Sequence, residues 1–437
     1  MKLVFLWFGT WKNSMSCYVP LWVKTDEQKF PRARQKDGTA EEILTAFSRT
    51  NRDADAHAFA KIMKHNREFD EKEQTVVLVQ LENEIGMIPD ARDYSKEANE
   101  FFKAPVPDEF IKFLTANKKN LRQPLYGLRE KNGFKTKGNW EEVFGQSLQT
   151  DEIFMAWYYA KYVNYVAEAD KKEYPLPMYV NAALIRPGYQ PGQYPSAGPL
   201  PHLFDIWKAA APQIDFLSPD IYFPNFAEWS EKYYLPSDDK STYSNPLFIP
   251  ETGGDQSVAN AFYAFGQLNA MGYSPFSIES LQNPEDNNVS KGYGILTQLT
   301  SLILANQGKG TMAGVLLDST NQVEKIKLGG YVFNFHHAYS WKYAPRTEGE
   351  NPRFGGMIIM ISPDEFYIAG RGLVVTFETS ENDDSIVGIG SDEAGEFVDG
   401  KWAPGLLLNG DQTHQGRHVD LPGNTFCIQK VKLYKYK

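Results

Sequence analysis

Two glutamates stand where short apolar runs stop. In "VVLVQLENEIG" (residues 76–86) four β-branched or leucine residues run into Gln80, and Glu82, Asn83 and Glu84 follow before a glycine. In "PLFIPETGG" (residues 246–254) Glu251 ends a second such run. A single glutamate at the end of a strand is ordinarily a solvated loop residue or half of an ion pair. Here each has an uncommon local context: an asparagine directly before Glu84, and a Pro-Glu-Thr-Gly-Gly stretch around Glu251. Two carboxyl groups held on either side of a glycosidic bond are what glycoside hydrolysis requires. One stays protonated to donate to the leaving oxygen, and the other is ionised to attack the anomeric carbon.

Such a pair needs a scaffold that delivers strand ends to one place. Short apolar runs alternate with amphipathic helical patterns from the first residue to about residue 307, giving six strand–helix units. Continuous apolar strands followed by helices indicate a parallel sheet covered by helices. The polar or special residues gather at the C-terminal ends of those strands: Trp11 and Asn13, Asn83 and Glu84, Asn181, Tyr222 and Glu251. A (β/α)₈ barrel places its active site at that end. A doubly wound sheet would do the same, but no Gly-rich phosphate loop follows any strand. The expected fold is therefore α/β, a TIM-type barrel over residues 1–308. From 309–437 the texture changes to short strands separated by Gly, Asn and Asp turns, which predicts an all-β sandwich domain.

Composition narrows the partners. The 437 residues carry a net charge of −10 without a basic stripe, so no nucleic-acid partner is expected. No run of about 18 apolar residues exists, and no membrane insertion is expected. Aromatic residues reach 14%, which suits both core packing and stacking on sugar rings. Cys17 and Cys427 lie too far apart to read as a disulfide framework, and no Cys/His cluster offers a metal site. In "FHHAY" the two adjacent histidines fall on opposite faces of a strand, so metal binding is not expected there. "MKLVFLWFG" is too short for a signal peptide and reads as a buried strand. No cofactor is called for, since two carboxylates suffice.

Several stretches carry a resemblance to a known family: "LVFLWFGTWKNSMSCYVPLWVKTDEQKFPR", "QLENEIG", "SPDIYFPNF", "IPETGG" and "YSPFSIE". They resemble the family 35 β-galactosidases, in the bacterial branch with an extra C-terminal β-domain. That family lies within the retaining glycosidases whose acid/base Glu follows an Asn at the end of barrel strand 4 and whose nucleophile Glu ends strand 7. The resemblance implies Glu84 as acid/base, Glu251 as nucleophile, Asn83 as donor to the sugar 2-hydroxyl and Tyr222 as a hydroxyl that orients the nucleophile. It implies an oligo- or polysaccharide substrate; members are often periplasmic or secreted. Family strands 1 and 2 would precede Met1, so six of eight units are expected, an N-terminally incomplete barrel.

Weaker expectations concern neighbouring residues. Trp11 and Asn13 are expected to stack on and hydrogen-bond a sugar, with core packing as the alternative for Trp11. Asn181 is expected either to face the pocket or to cap its turn. Strand alternation would put Glu82 on the face of Glu84, as an acid in the pocket or one supporting it from behind, and Glu279 is a candidate rim contact. Two other functions stay open: a catalytically inactive truncated glycosidase that retains carbohydrate binding, and a glycosidase for another sugar.

Overall fold

The structure is a computed structural model that describes residues 2–236, 243–254, 257–283, 285–338, 352–380 and 384–437. The chain divides into two compact units: Met1–Asp220 with Leu235–Asn245, and Ile221–Tyr234 with Pro246–Lys437.

The first unit opens with strand β1 (Leu3–Trp7), a single helical turn α1 (Leu21–Lys24) and a hairpin of β2 (Arg32–Arg34) and β3 (Ala40–Leu44). Helix α2 (Arg49–Asp70) follows; the Ser48 side chain caps it by accepting from the Asn51 N–H. Strand β4 (Val76–Leu81) leads into four short helices, α3 (Lys96–Lys103), α4 (Asp108–Ala116), α5 (Gln123–Lys131) and α6 (Trp140–Phe144). The last is opened by a reciprocal capping box between Asn139 and Glu142. Helix α7 (Leu148–Lys171), strand β5 (Met178–Ala183), helix α8 (Phe204–Ala210) and strand β6 (Phe216–Ile221) complete the series. Strands β1 and β4, β4 and β5, and β5 and β6 pair in parallel. Every residue of β6 and nearly all of β5 is buried, as strands covered on both faces must be. The excursion after β4 closes on an aromatic cluster in which Phe110 stacks on Trp157 and Trp140 meets Phe154 edge-on.

The second unit contains α9 (Phe226–Tyr233), strand β7 (Phe248–Thr252), α10 (Ser257–Leu268), strand β8 (Gly272–Pro275) and α11 (Asn288–Asn306). Strands β7 and β8 are parallel. Parallel strands alternating with helices, β1, β4, β5 and β6 in the first unit and β7 and β8 in the second, are the pattern of a partial (β/α) barrel.

Antiparallel structure follows in the same unit: β9 (Met312–Leu317), β10 (Val323–Leu328), β11 (Tyr331–His337), β12 (Phe354–Ser362), β13 (Glu365–Gly370), β14 (Leu373–Thr379), β15 (Ile386–Val398), β16 (Lys401–Leu407), β17 (His418–Leu421) and β18 (Cys427–Tyr436). They form two sheets, β10-β11-β14-β17 and β16-β15-β18-β13-β12-β9. One core, including Val315, Phe333, Phe335, Ile358, Ile368 and Val431, is shared by residues of both. Helix α10 approaches β9 closely because glycines face each other: a Cβ on Gly314 would lie 2.8 Å from the Gln267 nitrogen and the Phe262 oxygen, and one on Gly266 would lie 2.8 Å from the Gly314 Cα.

Candidate active site

Strand β4 ends at Leu81, and the next residues leave the extended conformation abruptly. Glu82 has φ 59° and Glu84 φ 43°, both left-handed, a region that costs a non-glycine residue about 1 kcal/mol or more. Strained backbone of this kind persists only where its surroundings over-determine it. Those surroundings are visible. The Glu82 N–H donates to the Trp7 oxygen (2.7 Å) and the Asn83 N–H to the Trp11 oxygen (3.2 Å), tying this turn to the loop after β1. The Glu84 N–H donates to Asn181 Oδ1 at 3.0 Å.

That turn corrects the alternation expected for Glu82. Its side chain is buried and points to the β1 loop, where Oε1 accepts from the Thr10 N–H (3.0 Å) and Oε2 from the Trp11 N–H (2.7 Å). Burial, and then the charge of Asp55 beside it, push the Glu82 carboxyl well above the ordinary carboxylate range. Asp55 comes from the middle of α2 and accepts from Trp7 Nε1 (2.9 Å), Thr10 Oγ1 (2.9 Å) and the Tyr162 hydroxyl (3.2 Å). This acid pair braces the strand ends, which is the supporting role of the two expected for Glu82.

Asn83 and Asn181 are the cross-links of the same half. Asn83 Oδ1 accepts from Gln80 Nε2 (2.9 Å) and Asn181 Nδ2 (2.8 Å), and Asn83 Nδ2 donates to the Lys12 oxygen (2.8 Å). Asn181 Nδ2 also donates to Asp220 Oδ2 (2.6 Å). Both amides are buried, so their hydrogen bonds fix the orientation of the turn that carries Glu84. Asn181 acts on Glu84 through its backbone, and Glu84 itself is half-buried.

Of the two readings given for Trp11, the structure supports core packing. Trp11 has 0% exposure and lies edge-on to Tyr159 and Tyr162, at 5.2 and 4.9 Å between ring centroids, so it packs and presents no stacking face. Asn13 Oδ1 is occupied by its own turn, accepting from the Met15 N–H and Ser16 Oγ at 3.0 Å each.

The second unit holds Tyr222 and Glu251. Strand β7 pairs Ile249 with Tyr273 and Thr252 with Pro275, so one extra residue is accommodated around Pro250 and Glu251. A bulge of this kind re-aims a side chain at the end of a strand. Thr252 Oγ1 donates to the Ile221 oxygen at 2.8 Å, fixing the strand end beyond the bulge. The Tyr222 hydroxyl donates to Glu251 Oε2 at 2.9 Å. Glu251 is half-buried and Tyr222 exposed. That hydrogen bond holds one of the two Glu251 carboxylate oxygens in place. Glu279 is exposed in a short 3-10 turn after β8.

Among the described residues no group of three or more His, Cys, Asp or Glu side chains gathers as metal ligands do. His336 Nε2 lies 3.2 Å from Thr376 Oγ1, and His337 Nε2 lies 2.9 Å from the Pro352 oxygen. Cys17 and Cys427 are free thiols. No described helix is long and apolar enough to cross a membrane.

Residues 289–420 match the family model of a domain of unknown function, DUF5597. No curated protein sequence matches the chain. Among solved structures, a β-galactosidase from the psychrophilic Marinomonas ef1 is similar over 66% of this chain at 11% identity, with a TM-score of 0.41. This chain spans 49% of that one, about half its length. A β-galactosidase from Bacillus circulans sp. alkalophilus is similar over 96% of this chain and 88% of its own, at 10% identity and a TM-score of 0.38. A catalytic mutant of a GH42 β-galactosidase from G. stearothermophilus is similar over 97% and 87%, at 8% identity and a TM-score of 0.43.

Proposed function

We propose that this chain is a retaining, exo-acting glycosidase of the family 35 pattern, a β-galactosidase that removes terminal β-galactosyl residues from oligo- or polysaccharides. The observation that carries this reading is the hydrogen bond from Tyr222 to Glu251 at the bulged end of a parallel strand. It prepares a carboxylate for attack while leaving one oxygen available. Glu251 is the nucleophile: it attacks the anomeric carbon as the glycosidic bond breaks, forming a covalent glycosyl-enzyme. Glu84 is the acid/base. It donates its proton to the leaving oxygen, then takes a proton from the water that releases the sugar. Asn83 offers an amide hydrogen to the sugar 2-hydroxyl, and Asn181 holds the Glu84 turn in place.

Turnover of a panel of nitrophenyl glycosides by the purified chain and two variants tests this assignment. Glu251→Gln abolishes turnover of every substrate, because no nucleophile remains. Glu84→Gln slows substrates with poor leaving groups by a factor of about a hundred or more, while activated aryl galactosides suffer less because they need little protonation. Equal losses for both kinds of leaving group would remove Glu84 from the role of general acid. Absence of turnover in the parent chain, with sugar binding retained, would favour a binding protein over an enzyme.

A further inference from the structure

The antiparallel part of the second unit contains a cavity of about 760 Å³, formed along the first half of β15 and the loop between β16 and β17. Strand β16 pairs with β15 only from Glu393 onward, so Ile386–Asp392 has β18 on one side and the cavity on the other. Asp392 borders this cavity, but its carboxyl group is buried on the Val431 side of the sheet, with no hydrogen-bond partner for either oxygen among the described residues. A buried carboxyl group without partners is costly to keep. Burial, and then the neighbouring Glu393 charge, push it up to about 7.

Two further features meet at the same cavity. Tyr434 and Tyr436 project from alternate positions of β18, their rings stacked at 5.6 Å and 29°, and remain 49% and 47% exposed. From the facing loop come Asn409, Gln415 and Arg417. The loop is braced internally: Thr413 Oγ1 donates to the Asn409 oxygen at 3.0 Å and accepts from the Gly416 N–H at 3.1 Å. The Arg417 side chain makes no ion pair or hydrogen bond to the described residues, so its donors are available.

We infer that this cavity is a saccharide-binding site, separate from the residues assigned to catalysis. A pyranose presents an apolar C–H face and a rim of hydroxyls, each able to donate and accept. Exposed tyrosine rings supply the platform for the first, and a guanidinium and two amides supply partners for the second. The volume admits more than one ring, which suits a polysaccharide chain. This inference does not rest on the catalytic assignment.

Native gel electrophoresis of the full chain through gels containing xyloglucan or β-1,4-galactan tests it, with calorimetry on the corresponding oligosaccharides. Retardation is expected in at least one polysaccharide. Tyr434→Ala and Tyr436→Ala, both surface changes, weaken that binding at least tenfold, as does Arg417→Ala, while kcat/KM on a nitrophenyl galactoside is unchanged. Glu251→Gln binds as the parent chain does, so loss of catalysis and loss of this site read out separately. Migration unaffected by either polysaccharide would overturn the inference. So would retardation that survives both tyrosine changes or disappears with Glu251→Gln.

Discussion

At the scale of single residues, the proposed chemistry depends on how one hydroxyl and one backbone amide are aimed. Tyr222→Phe keeps the ring and deletes the donor to Glu251 Oε2. A hydrogen bond to a charged group contributes about 1.5–3 kcal/mol, so kcat/KM is expected to fall about 10- to 100-fold. Steady-state kinetics on an aryl galactoside would reveal it, and an unchanged kcat/KM would remove Tyr222 from the mechanism. Another buried acid makes a prediction about stability. Asp170, near the C-terminus of α7, is fully buried with no partner for either carboxylate oxygen among the described residues. Burial, and then the charge of Asp55, push it up from 3.8 to about 10. Across that window the unfolded chain has released the proton and the folded chain keeps it. Asp170 therefore lowers stability as pH rises, by up to about 1.4 kcal/mol per pH unit. Asp170→Asn should flatten the fall in unfolding free energy between pH 5 and 8, measured by denaturant titration. An unaltered slope would mean that Asp170 is ionised in the native protein.

At the scale of elements, β1 and α10 lead to different predictions. Strand β1 hydrogen-bonds only β4 among the described strands and exposes Leu3 by 42% and Leu6 by 49%. An apolar strand at a sheet edge is a template for association. Leu6→Lys is expected to lower concentration-dependent self-association in light scattering without lowering the melting temperature; equal scattering from both proteins would exclude this edge as the contact. Helix α10 lies against β9 through Gly266 and Gly314, leaving no room for a side chain. Gly314→Val should cost about 1–3 kcal/mol by forcing helix and strand apart, and an unfolding midpoint equal to the parent's would contradict that packing.

Strands such as β5 and β6, and long helices such as α2 and α7, were legible because burial on both faces writes a continuous apolar run and amphipathicity a 3.6-residue period. The hairpin of β2 and β3 was not, since "RAR" and "AEEIL" carry neither signal strongly. The turn at Glu82 was also hidden. Alternation assumes extended backbone, and the left-handed conformation there is stabilised by Thr10, Trp11 and Asn181, partners far away in sequence. Asp55 sits in a helix that reads as polar-faced and amphipathic, and nothing local marks its link to Trp7 and Tyr162. The placement of Glu251 and Tyr222 at strand ends was legible because "IPETGG" and "DIYFP" are short, unusual strand ends.

At the scale of the whole molecule, an acidic chain with 14% aromatic residues combines strand-end carboxylates with an antiparallel part that has a cavity of its own. We propose two roles for those parts, bond cleavage by Glu84 and Glu251 and capture of a sugar chain beside the paired tyrosines. The central claim is that a covalent bond forms between Glu251 and the sugar. Incubating the purified protein with 2,4-dinitrophenyl 2-deoxy-2-fluoro-β-galactoside and mapping the labelled peptide by mass spectrometry tests that claim most directly, because fluorine at C2 slows release of the glycosyl-enzyme more than it prevents its formation. The account predicts one fluorogalactosyl group per chain, on the peptide containing Glu251, and none on Glu251→Gln. Turnover of an unfluorinated galactoside with no label from the fluorosugar, or a label on Glu84, would contradict it.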